Sequence, residues 1–149
     1  MILNRQKTVR VARRPLESFL RRVQGELGFQ EAGVTICLVS DAEIARMNET
    51  FRKKKGPTDV LSFPSVARGR PVPLRRNSGK GKVGEYLGDV AISPATARRY
   101  AEKSGRKLPS ELRVLILHGV LHLLGYDHET DSGQMDRVER KLRKRLGLA

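Results

Sequence analysis

An α/β architecture is what this sequence predicts, on three observations. Strand-like and helix-like stretches alternate along the first part of the chain and then give way to helices. The length of 149 residues suits one domain built on one core, here residues 1–149. Neither an internal repeat nor a second domain is visible, so the expectation is a single compact domain, with about four strands and five helices.

The elements follow in order. Residues 1–5 or residues 8–12 supply a first, edge strand. Residues 15–27 read as a helix with Leu16, Phe19, Leu20, Val23 and Leu27 on one stripe. Residues 33–39 form a strand in which Cys37 acts as a small apolar residue. Ser40-Asp-Ala-Glu43 is a capping box, because the serine oxygen takes a backbone N–H that the first turn leaves unpaired; it opens a helix through Ile44, Met47 and Phe51. Residues 58–63 make a short strand ended by Pro64. Residues 66–84 hold six basic residues, no acidic ones, two prolines and four glycines, the composition of a basic loop. Strand character returns over residues 86–92. Ser93-Pro94 pairs an N-cap with a proline in the first helical position, and that helix runs towards Lys103. Ser110 caps the next helix, where Leu112, Leu115, Ile116, Leu117, Val120, Leu121, Leu123 and Leu124 leave almost no polar face, so it is central and buried. Residues 134–148 close the chain, with Met135, Val138, Leu142 and Leu146 on one face and Arg and Lys dominating the rest.

Charge narrows the partners. Lys and Arg number 30 against 16 Asp and Glu, a formal net charge of +14. Such an excess attracts polyanions over long range, either nucleic acid or an anionic membrane surface. A membrane span is not expected, because the longest apolar stretch, residues 114–124, is too short and carries two histidines. The first 14 residues bear five basic side chains but no apolar segment of the secretory kind. One cysteine allows no disulfide within the chain. Together these features place the expected site of action in the cytoplasm.

All three histidines fall within eleven residues, as His118-Gly-Val-Leu-His122-Leu-Leu-Gly-Tyr-Asp-His128. His118 and His122, four apart, share one helix face. Gly125 stands where the helix can end in a left-handed turn, which lets the chain return His128 to the same point. Three imidazoles converging on one point make three-quarters of a tetrahedral zinc shell, and the open corner is what a catalytic zinc requires. Nickel or copper would also accept three imidazoles. Asp127 is placed to orient a ligand or to serve the turn.

The spacing is that of the long zinc-peptidase motif H-E-x-x-H-x-x-G-x-x-H, except that Gly119 stands where the peptidases have their general-base Glu. A peptidase without that carboxylate has lost the group that manages protons. Phosphodiester cleavage is less dependent on it. Zinc brings coordinated water to a pKa of ~7, and the larger problem, charge on the phosphorus centre, is answered by metal, a guanidinium and a basic surface.

These residues resemble the YbeY family, bacterial endoribonucleases of ribosomal RNA maturation. The histidine segment matches one family signature. Asn48-x-x-Phe51-Arg52 with Pro57-Thr58-Asp59-Val60-Leu61-Ser62-Phe63-Pro64 matches a second, and Leu87-Gly88-Asp89-Val90-Ala91-Ile92-Ser93 a third, in the right order. The resemblance implies a compact α/β fold with a small mixed sheet, zinc held by His118, His122 and His128, and an essential arginine at Arg52. It further implies single-strand-directed cleavage of RNA in 16S rRNA 3′-end processing and small-subunit quality control. The partners would be rRNA, the small ribosomal subunit and its proteins. By residue chemistry alone, Arg52-Lys-Lys-Lys55 also reads as a charge run that offsets a helix dipole. Thr58 and Asp59 read as strand-entry scaffolding, and Tyr126 as a platform for a base. Two rival readings stand beside the nuclease: a zinc metalloprotease, and a non-catalytic ribosome-assembly factor whose structural zinc is closed by Asp127, Glu129 or Asp131.

Overall fold

The computed structural model describes residues 1–65, 85–127 and 131–148. The expected basic loop, 66–84, lies outside the described residues, as do His128 and Glu129. The elements are β1 (Ile2–Asn4), α1 (Arg13–Leu27), β2 (Gly33–Leu38), α2 (Asp41–Arg52), β3 (Val60–Pro64), β4 (Tyr86–Ile92), α3 (Pro94–Lys103), α4 (Leu108–Leu123) and α5 (Gln134–Arg145). The four strands form one mixed sheet in the order β1-β2-β4-β3. β1 and β4 run parallel to β2, and β3 pairs antiparallel with β4. Of the two segments offered for the first strand, residues 1–5 contain it. No helix among the described residues is long and apolar enough to cross a membrane.

Alternation along the strands divides the apolar side chains between two faces. Ile36, Leu38, Val90 and Ile92 join the main core with α1 and α4, whereas Leu61, Ala91 and Ile44 of α2 form a smaller cluster beside Cys37. Adjacent residues of β2 and β4 therefore serve opposite faces, with α4 packed on one and α2 on the other. Helix α4 is buried nearly all round, as its composition predicts.

Serine caps set where α2 and α3 begin. Ser40 accepts the Glu43 N–H at 3.1 Å, and Ser93 accepts that of Thr96 at 3.2 Å, with Pro94 in the first turn. Asp41 joins these two helix starts. It accepts hydrogen bonds from Ser93 Oγ at 2.6 Å, Thr96 Oγ1 at 2.7 Å and Arg99 at 2.9 Å. Burial pushes the Asp41 carboxyl up, but those donors outweigh it and hold it below the usual carboxylate range. Helix α4 departs from expectation: its N-cap is Lys107, and Ser110 lies inside the first turn. Pro109 is the physical reason, since its fixed φ and missing N–H suit a first turn and draw the helix start forward.

Two glycines mark close approaches, Gly119 between helix and sheet and Gly88 between neighbouring strands. A Cβ on Gly119 of α4 would lie 2.5 Å from Val90 Cγ1 on β4, so the helix rests on the sheet at a point without room for a methyl group. Gly88 of β4 has φ +140°, and a Cβ there would meet the Phe63 carbonyl oxygen at 2.4 Å. Across the first contact, Ser62 Oγ donates to the Gly119 carbonyl at 2.9 Å, tying β3 to α4.

Candidate metal centre and substrate cavity

Helix α4 presents His118 and His122 to one cavity, of about 580 Å³, that runs along the edge strand β3. Their Nε2 atoms are 3.1 Å apart, with the ring centroids at 4.7 Å and the planes at 71°. The other ring nitrogen of His118, Nδ1, lies 3.0 Å from Glu139 Oε1 on α5. A neutral imidazole that donates Nδ1–H to a carboxylate has its lone pair on Nε2, which is the arrangement outer carboxylates impose on metal-binding histidines. Two Zn–N bonds of ordinary length at the tetrahedral angle put their nitrogens about 3.3 Å apart. The two histidines fit a zinc ion on that measure. Among the described residues no group of three His, Cys, Asp or Glu side chains is assembled, and the third expected ligand, His128, is outside them.

The turn after α4 follows the expectation from Gly125. Its φ is +96°; its N–H bonds to the His122 carbonyl at 2.9 Å, and the Tyr126 N–H bonds to that of Leu121 at 3.2 Å. This crossed pair ends the helix and reverses the chain. Asp127 emerges beside both histidines in the cavity wall. Asp131 acts at the next helix start, where its carboxylate accepts the N–H groups of Gly133 and Met135, at 2.8 and 2.9 Å, and so opens α5.

The facing wall comes from α2. Phe51 and Arg52 occupy its last turn, both exposed, and both line the cavity. The helix stops at Lys53, which takes φ +56°, a left-handed conformation uncommon outside glycine. Buried Asn48 holds the following loop by donating to the Gly56 carbonyl at 3.0 Å. Among the described residues, Arg52 makes no ion pair or hydrogen bond. Its charge is thus not neutralised by a carboxylate among the described residues. Thr58 and Asp59 also line the cavity, and the Asp59 carbonyl accepts the Ser93 N–H at 3.0 Å, the scaffolding role expected of strand entry.

One reading changes, and one contact is new. Tyr126 packs against the main core, and the aromatic residues of the cavity are Phe51 and Phe63. Glu139 is the contact of a candidate ligand that the sequence reading misses. Its signal is a charged residue within the apolar stripe Met135, Val138, Leu142, where an uncompensated carboxylate would be costly.

The profile of the endoribonuclease YbeY family matches residues 1–147. A Solibacter usitatus protein named Endoribonuclease YbeY is 44% identical over 137 residues, covering 91% of this chain and 81% of its own. One of the same name from Koribacter versatilis is 39% identical over 148 residues, with coverages of 99% and 86%. A solution structure of a Thermotoga maritima protein superposes with a TM-score of 0.62 at 25% identity, over 98% of this chain and 89% of that one. A match over nearly the whole length, with relatives this similar, places the chain in the endoribonuclease YbeY family.

Proposed function

We propose that this protein is a zinc-dependent endoribonuclease that cuts single-stranded segments of ribosomal RNA, in 16S rRNA 3′-end maturation and small-subunit quality control. Family membership supports the RNA-cleaving activity. The observation that carries the metal is the meeting of two Nε2 atoms at 3.1 Å with one ring anchored by Glu139, in the cavity that Arg52 also lines. The net charge of +14 supports a polyanionic substrate; on this reading the protein acts in the cytoplasm, with rRNA and the small ribosomal subunit and its proteins as partners.

His118 and His122, with His128 as third ligand, would hold the ion. A divalent zinc there supplies Lewis-acid charge and lowers the pKa of water towards neutrality. The chain's own residues do the rest. Glu139 fixes the tautomer and orientation of His118. Arg52 binds the non-bridging oxygens of the scissile phosphate and steadies the charge that grows on them, a role suited to the planar guanidinium. Lys53, Lys54 and Lys55 extend the positive field beyond the cavity. A peptidase reading finds no support in the α4 geometry, because the position of the peptidase Glu is Gly119, pressed onto Val90.

Parallel assays test this reading. Metal-replete protein is given small-subunit precursor RNA and, separately, casein, before and after chelation and zinc return. Cleavage of RNA alone, lost on chelation and restored by zinc, is expected. Intact RNA with zinc-loaded protein, or digestion of casein, would contradict the assignment.

A further inference from the structure

The inward-facing stripe of α2, residues Ile44, Met47, Asn48 and Phe51, runs at helical spacing from the core to the cavity. Ile44 is fully buried, while Phe51 is 65% exposed. The stripe thus outlasts the sheet it packs on, and its last ring stands over the cavity. A lone exposed apolar residue needs no explanation. Phe51 is not alone: Phe63 of β3 meets it edge-on, with centroids 5.0 Å apart and planes at 72°, and both rings line the cavity that holds His118, His122 and Arg52.

We propose that the Phe51–Phe63 pair is a nucleobase subsite, in which Phe51 stacks on one unpaired base of the RNA while the adjoining phosphate lies against Arg52. The assignment rests on the RNA reading of the cavity given above. Edge-on contact with Phe63 sets the orientation of the Phe51 ring without using its whole surface, and most of that surface remains open to solvent. Phe51 and Arg52 both line the cavity, so an apolar ring and a guanidinium that has no ion pair among the described residues border the same space. A nucleotide offers the matching pair, a flat base and a charged phosphate. Duplex RNA keeps its bases stacked on one another and cannot present that face, whereas a single strand can. Every base has a π-face, so the subsite selects single strands without selecting a sequence.

The chain contains no tryptophan, so Phe51→Trp introduces a single indole at the proposed contact. The probes are a short single-stranded 2′-O-methyl oligoribonucleotide, the same backbone with its bases removed, and the same sequence as a duplex. Zinc-loaded F51W is expected to lose indole emission with the single strand, and to keep it with the abasic strand and the duplex. By fluorescence anisotropy of a labelled single strand, F51A should bind about tenfold more weakly than wild type, and F51Y should recover most of the loss. Equal binding by wild type and F51A, or equal quenching by the abasic strand, would overturn the subsite while leaving RNA binding in place; the pair would then belong to a protein contact. Absence of binding to any strand by wild type itself would instead remove the RNA reading, and the subsite with it.

Discussion

On the α4 wall of the cavity, His118 and His122 stand on a buried helix that rests directly on the sheet through Gly119, and Glu139 fixes one of the rings. On the α2 wall, Phe51 and Arg52 stand exposed on a final turn that ends at a left-handed lysine, and Arg52 makes no ion pair among the described residues. The proposed function gives a reason for the difference in what each wall would hold. Metal ligands have to be held to within a fraction of an ångström, which suits nitrogens carried on a rigid helix. A polymeric anion must reach its contacts from solvent, so the groups that meet it sit at an exposed helix end.

Substitutions on the two walls should therefore separate metal binding from turnover. The largest effect is expected for His122→Ala, which removes a ligand from the rigid wall: bound zinc, by elemental analysis, and RNA cleavage should disappear together. Retained zinc in that variant would place the metal elsewhere. Arg52→Ala should lower cleavage by about 10²–10³-fold, the usual cost of losing a donor to developing charge, while zinc content is unchanged. Lysine at this position should restore only part of the rate, because it lacks the guanidinium fork.

Gly119→Ala tests the contact that sets the rigid wall. In a helix interior alanine is ordinarily favoured over glycine by about 1 kcal/mol. Here the added methyl meets Val90, so a net loss of about 1–3 kcal/mol, read as a lower Tm, is expected, with Val90→Ala relieving it. A raised Tm would mean that helix and sheet are not in close contact. Glu139→Gln should weaken zinc binding by about 10–100-fold in a chelator competition, the range for lost outer partners of a metal ligand. No change would reduce Glu139 to a packing role.

The smallest effect concerns the Asp41 junction that fixes the start of α2. Its carboxyl is held below the ordinary range, so its contribution is present above the unfolded pKa of about 3.9 and is lost as pH falls through the lower native value. Asp41→Asn should reduce Tm near neutral pH, and the gap to wild type should narrow in acid. A constant gap across that titration would show that charge at Asp41 does not matter.

Local signals in the sequence carry much of this arrangement. Serine caps at Ser40 and Ser93, the proline at Pro94 and the glycine at Gly125 act over three or four residues, and the structure places each as expected. The histidine pair is legible for the same reason, since i, i+4 spacing on a helix leaves one geometry. Features that depend on distant packing are not legible. Glu139 is 21 residues from His118, and only the docking of α5 against α4 brings them together. Gly119 reads in the sequence as a missing catalytic carboxylate, yet the sheet beneath it already forbids a side chain. The sequence puts Phe51 on the apolar stripe of α2 with Ile44 and Met47 and offers Tyr126 as the exposed aromatic, whereas the fold packs Tyr126 against the core and leaves Phe51 exposed at the cavity.

The most direct test is a crystal structure of the zinc-loaded protein. One ion is expected on the Nε2 atoms of His118, His122 and His128, with a coordination position open towards Arg52. Imidazoles that point apart, or an ion closed off by a protein ligand such as Asp127, would contradict the assignment.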